Sequence, residues 1–178
     1  MNLDGDKLAL RPLRAEDLEQ ARAWVNDPEL ARGLLRVLPV TQAEQERWFA
    51  DICQNPARMV WAVFEQDRHV GNCGLYHLDL LHRRAEAWFL LGEAQARGRG
   101  LGREMARLLL DYAFRSLGLH KVYLHVGVDN LPARRLYESL GFTTEGTLAD
   151  EYFLAGGFCD VLRMRLLEGQ WPPSPRKG

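Results

Sequence analysis

A chain of 178 residues can form one domain with a substantial core, and 47% apolar with 26% charged residues is ordinary for a soluble globular protein. The formal net charge of −1 supplies no overall field towards nucleic acid or an anionic membrane, so neither is an expected partner. Cys53, Cys73 and Cys159 are odd in number and scattered without metal-ligand spacing, which argues against a disulfide framework and leaves no metal expected. The opening Met1-Asn2-Leu3-Asp4-Gly5-Asp6 is acidic and has no apolar targeting core, and no apolar run approaches membrane-spanning length, so the expected location is cytoplasmic.

Taken in order, residues 8–13 alternate apolar and basic and read as a short strand, and residues 15–25 read as a helix with Leu18, Ala21 and Val25 on one face. A second short helix is expected over 28–35. Thr41-x-x-Glu44 has the spacing of a capping box, in which each side chain satisfies the other's backbone amide, so a third helix should start near Thr41. Strands are predicted over 59–65 and 69–80, parted by a polar turn at 66–68, and again over 84–91. Met105, Leu108, Leu109, Tyr112 and Ala113 then recur at helical spacing over 105–114, with Gly118 as the stop. Val122, Leu124, Val126 and Val128 alternate in a strand over 121–128. Pro132 sits in the first turn of the next helix, where a missing N–H costs nothing, and Ala133, Leu136, Tyr137 and Leu140 form its inner face. Strands over 142–145 and 159–166 close a single domain over 1–170, followed by a Pro-rich, basic tail (171–178) expected to be loose. The crossover between 84–91 and 121–128 is long enough to make those two strands parallel.

Arg97-Gly98-Arg99-Gly100-Leu101-Gly102 is the segment that carries chemistry. Its alternating glycines bring bare backbone close to a ligand, and the helix behind it offers unpaired amides and a positive dipole end. With Arg97, Arg99 and Arg103 alongside, this is a cradle for phosphate or pyrophosphate. It is not a dinucleotide fingerprint, because Arg103 stands where the third glycine belongs, and no Lys-Ser or Lys-Thr pair makes it a nucleoside-triphosphate loop.

The pattern Arg97-x-x-Gly100-x-Gly102, followed at the right spacing by Asn130, Ala133, Tyr137 and Gly141-Phe142, resembles the cofactor half of the GNAT superfamily of acetyl-CoA-dependent N-acetyltransferases. The likeness runs over residues 84–167, from Ala85-Glu86 to Glu145-Gly146 and Asp160-Val161. Leu10-Arg11-Pro12-Leu13 with Asp17-Leu18 looks like the start of the branch acting on polyamines, ribosomal-protein N-termini and amino sugars. The resemblance implies an α/β (α+β) fold with a mixed, mostly antiparallel sheet of six to seven strands flanked by helices. It also implies a parallel pair splayed apart at the cofactor. By the same resemblance Phe89, Leu90 and Leu91 would offer backbone groups to the pantetheine arm, and Gly98, Gly100, Leu101 and Gly102 would hold the pyrophosphate. Asn130 would bond the arm or cap its helix, and Arg134 or Arg135 would reach the adenosine phosphates. A homodimer stays open.

Acetyl transfer to an amine needs a base, because an alkyl ammonium has a pKa of about 10.4, and a proton donor for the departing thiolate. Tyr137 matches the family's proton donor, against the alternative of a core tyrosine on the apolar helix face. Glu86 is the candidate base, directed by strand alternation into the acceptor cleft, or else a surface carboxylate paired with Arg83 or Arg84. Water alone is the further option, and His77, His82 and His125 read as structural. Trp88, among Trp24, Trp48 and Trp61, would form an aromatic wall for an ammonium beside Glu86. The expected function is N-acetyl transfer from acetyl-CoA to a primary amine in a ternary complex, with no covalent acyl-enzyme. The acceptor would be a small amine or polyamine, a protein N-terminus, or an amino sugar or aminoglycoside. A non-catalytic acyl-CoA sensor is the alternative from another class.

Overall fold

The computed structural model describes residues 1–35 and 39–172. Eight strands form one sheet in the order β1-β2-β3-β4-β5-β6-β8-β7, one more than the upper bound read from sequence. They are β1 (Leu3–Asp4), β2 (Ala9–Pro12), β3 (Met59–Glu65), β4 (Arg68–Asp79), β5 (Arg84–Leu91), β6 (Lys121–Gly127), β7 (Thr143–Leu154) and β8 (Gly157–Leu167). Every pairing is antiparallel except β5 with β6. Helices α1 (Leu18–Val25) and α3 (Gln42–Gln54) lie on the front of the sheet, α2 (Pro28–Gly33) packs against α1, and α4 (Leu101–Asp111) and α5 (Leu131–Ser139) lie on the back.

Strand alternation builds these two faces. Trp61 and Val63 point back into the main core with Met105, Leu109 and Tyr137, whereas Val60 and Ala62 point forward onto Leu18, Trp48 and Ile52. Burial of the α4 stripe supplies the driving force; each large apolar side chain removed from water contributes about 1.5–3 kcal/mol. Thr41 caps α3 as its spacing predicts, accepting from the Glu44 amide at 3.2 Å while Glu44 returns to the Thr41 amide at 2.8 Å.

Three expectations are corrected. Residues 112–116 form a π turn, closed by the Leu117 amide on the Tyr112 carbonyl, in place of a continued α-helix. The last two strands are longer than the sequence suggested, because β7 is exposed on almost every residue and so carries no apolar alternation to read. Trp171, assigned to the loose tail, is anchored: its Nε1 donates to Asp111 at 2.7 Å and its ring lies on Phe114. Residues 173–178 of that tail lie outside the described residues.

The consequential feature is where β5 and β6 part. Their parallel register covers Arg84↔Lys121, Ala85↔Val122 and Glu86↔Tyr123, and pairing stops there. From Ala87 onward β5 stays with β4 while β6 turns to β8, and a wedge opens between them.

Candidate active site

The glycine loop stands at the mouth of this wedge. Gly98 and Gly100 have φ of +73° and +81°, the left-handed region that side chains other than Gly enter at a cost of about 1–2 kcal/mol. A Cβ on either would point into open space, so the turn presents bare backbone outward. The Gly100 carbonyl takes the amides of Arg103 and Glu104, while the preceding helical amides, Leu101 and Gly102, lack intrahelical acceptors. A Cβ on Gly102 would lie 3.6 Å from Leu136, which sets α4 close against α5. These features suit a pyrophosphate.

The arginines are arranged differently from the expectation. Arg97 turns back, donating to the carbonyls of Leu91 and Gly92 at 3.4 and 3.2 Å and to Glu29 at 3.1 Å. Arg99 forms a two-pronged pair with Glu65 at 2.6 and 3.0 Å, and that hydrogen bond holds the Glu65 carboxyl below its usual range. Both guanidinium groups are thus paired with carboxylates, while Arg103 is exposed beside the loop. Arg134 lies against the end of β6, donating to the Val128 carbonyl at 2.8 Å with its Nε buried and unpartnered; Arg135 is exposed. Asn130 caps α5, accepting from the Ala133 amide at 3.3 Å through Oδ1, which leaves its Nδ2 as a donor.

Register also narrows the backbone contacts. The Gly92 amide bonds to the Val70 carbonyl, so the two-residue period makes Asn72↔Leu90 a hydrogen-bonded pair. The N–H and C=O of Leu90 therefore face β4, and those of Phe89 and Leu91 face the wedge. Tyr137 lies beside this point, its ring 6.0 Å from Phe89 and 5.9 Å from Phe142. The residue is only 9% exposed, and burial pushes its hydroxyl up to about 12. At neutral pH it keeps its proton and serves as a hydrogen-bond donor.

On the front, Glu86 meets neither Arg83 nor Arg84. Arg83 is drawn to Glu168 and the Gly118 carbonyl, and Arg84 to Asp79. Glu86 instead contacts Nδ1 of His125 at 2.7 Å and Nε2 of His77 at 3.6 Å. Against a carboxylate Nδ1 must carry the hydrogen, which leaves Nε2 of His125 as the nitrogen with a lone pair. Sequence reasoning set His125 aside because only the β5–β6 register brings residue 125 onto the face of Glu86. Both residues border a front face whose cavity, about 510 Å³, is lined by Glu86 with Glu44, Gln45, Trp48, Asn72, Tyr76 and Trp88. The Trp48 indole donates to the Tyr76 hydroxyl at 2.8 Å, and Tyr76 packs on Trp88 with ring centroids 5.6 Å apart. Of the four tryptophans considered for this wall, Trp48 and Trp88 line it, while Trp24 and Trp61 are buried in the packing.

The sequence profile of the Acetyltransferase (GNAT) domain family matches residues 7–143. The chain belongs to the GNAT acetyltransferase family. This acetyltransferase is 35% identical over 127 residues to a spermidine N(1)-acetyltransferase of Vibrio cholerae, spanning 71% of this chain and 73% of the relative. It is 29% identical over 162 residues to the spermidine N(1)-acetyltransferase of Escherichia coli K12, spanning 91% and 87%. A crystal structure of the Vibrio cholerae spermidine N-acetyltransferase in complex with CoA and spermine superimposes with a TM-score of 0.88 at 30% identity, covering 93% of this chain and 98% of that one. Among the described residues, no helix of the acetyltransferase is long and apolar enough to cross a membrane.

Proposed function

We propose that this acetyltransferase moves an acetyl group from acetyl-CoA to a primary amine of a polyamine, by direct attack with both substrates bound. The observation that carries the reading is the Glu86–His125 pair at the edge of an aromatic-walled cavity that holds a second carboxylate, Glu44. The names of the relatives give the amine class its support. Acetyl-CoA, when bound, supplies an activated thioester.

The chain's residues then divide the work. The loop amides of residues 98–102 hold the diphosphate, and the wedge-facing backbone of Phe89 and Leu91 holds the arm, with Asn130 Nδ2 as a further donor. Glu44 and Glu86 draw in the ammonium form, over the indole face of Trp88. His125 Nε2 takes the proton that must leave before nitrogen can attack, and Glu86 keeps the ring in the tautomer that allows it. Tyr137 donates to the sulfur as it departs. Because its hydroxyl sits near 12 while an ordinary thiol sits near ~8.5, the help is a hydrogen bond in preference to outright proton loss.

The test is release of free coenzyme A with spermidine as acceptor, for the native chain and for Glu86→Gln and His125→Gln. The native chain should turn over, and each substitution should lower kcat/KM by roughly 10²-fold with acetyl-CoA affinity unchanged. No release with any polyamine would end the polyamine reading. Native rates in both variants would transfer the base role to water.

A further inference from the structure

A fully protonated polyamine has N–H groups to donate and nothing to accept with, yet the acceptor cavity contains a side-chain donor that this ligand leaves unused. The donor belongs to Asn72, which is 3% exposed, lines the cavity and stands opposite Leu90 in the sheet.

Its orientation follows from one nitrogen. His69 Nε2 lies 3.0 Å from the Gly71 carbonyl and 3.0 Å from Asn72 Oδ1. A carbonyl can only accept, so Nε2 carries hydrogen, and the carboxamide atom facing it must be oxygen. The imidazole is held in place by Phe64, stacked at 5.1 Å, and Trp24, edge-on at 4.7 Å. With Oδ1 engaged, the Asn72 Nδ2 group is left with both hydrogens, and among the described residues it has no hydrogen-bond partner. Gln45, 5% exposed on the same cavity, differs: no described side-chain bond fixes its amide, so it can turn to present either end. One carboxamide is adaptable, and the other is locked as a donor.

Asn72 Nδ2 opens onto the cavity, so a ligand oxygen there replaces water and gains the net contribution of one hydrogen bond, about 0.5–1.5 kcal/mol. We propose that the acceptor cavity also takes primary amines that carry an ether, hydroxyl or carbonyl oxygen a few bonds from the nitrogen, with Asn72 Nδ2 donating to that oxygen. This rests on the acetyl-transfer reading above and extends its acceptors beyond polyamines. In each turnover a C–N bond forms to the amine, the C–S bond of the thioester breaks, and the proton lost by nitrogen balances the one gained by sulfur.

The experiment compares acceptors that differ only by oxygen against methylene: 3-methoxypropylamine and 2-ethoxyethylamine against pentylamine, with spermidine alongside. Coenzyme A release gives kcat/KM for the native chain, Asn72→Leu and the isosteric Asn72→Asp. The native chain should favour at least one oxygen compound over pentylamine by roughly 10-fold, as one neutral hydrogen bond allows. Asn72→Leu should bring that ratio to one, whatever it does to the absolute rate with pentylamine. Asn72→Asp keeps an oxygen for His69 and puts an acceptor where the donor was, so it should push the ratio below one and favour spermidine. Acetyl-CoA binding and thermal melting confirm that each variant is folded. A native ratio of one overturns the proposal, and so does a ratio that survives both substitutions. Turnover of spermidine alone overturns it while leaving the acetyl-transfer reading intact; no release from any amine removes both.

Discussion

The two halves of the active site are built in different ways. The proposed diphosphate cradle is a continuous segment, residues 97–103, whose working atoms are backbone amides exposed by Gly98 and Gly100. The proposed acceptor side draws Glu44 and Gln45 from α3, Asn72 and Tyr76 from β4 and Glu86 and Trp88 from β5, with His125 of β6 bonded to Glu86, and its working atoms are side chains. A backbone cradle needs only local conformation, so a short motif can announce it. A side-chain cavity needs distant elements in register, and its chemistry changes if one of them shifts by a residue. That contrast makes the glycine loop legible as a motif, and it makes the front cavity the proposed seat of acceptor selectivity.

The contrast can be broken at the loop first. Gly100→Glu forces a side chain into a left-handed position at φ +81° and places a carboxylate beside the helix amides. Acetyl-CoA binding, followed by calorimetry, should be lost while the fold survives, since the Cβ meets nothing within 4 Å. Normal affinity would show that the diphosphate lies elsewhere.

Tyr137 lies where the halves meet. Tyr137→Phe should lower kcat by roughly 10²-fold with acetyl-CoA affinity unaffected, and an intact rate would remove the proton-donor role. The same residue gives a pH signature in stability. Its folded-state value of about 12 exceeds the unfolded value of 10.0, so above pH 10 the unfolded chain releases a proton that the folded chain keeps. Stability therefore falls between about pH 10 and 12, by about 3 kcal/mol from this group. Denaturant melts should show Tyr137→Phe losing less over that window; parallel curves would refute the burial argument.

The smallest effect is also the most selective. Gly74 pairs with Trp88 across the sheet, and a Cβ there would meet the Met59 carbonyl at 2.6 Å and the indole nitrogen at 2.7 Å. Gly74→Ala should therefore strain the β3–β4 ladder and lower the melting temperature as well as push Trp88 out of line, raising the acceptor KM by about 10-fold with acetyl-CoA affinity untouched. Equal changes for both substrates would mean that the halves are coupled more tightly than their construction suggests.

Much of this molecule could be read before folding. The Thr41-Glu44 cap, the left-handed glycines and the α5 cap at Asn130 all depend on atoms within about four residues of one another. Local sterics and hydrogen bonding decide such features, and a linear sequence records them directly. The lengths of β7 and β8 escaped because a ladder formed in solvent needs no apolar pattern.

Tertiary structure alone decided the partners. Arg97 and Arg99 face Glu29 and Glu65 across separations of 68 and 34 residues, and Glu86 finds His125 across 39. Asn72 became a fixed donor because packing holds His69 between Phe64 and Trp24. The sequence by itself determined the family through its motifs, and that resemblance led to the expectation of a diphosphate cradle, a splayed parallel pair and an amine-directed chemistry together. Which carboxylate, imidazole and carboxamide lie near one another was settled by strand register, since a side chain's neighbours across a sheet are set by pairing and not by its place in the chain.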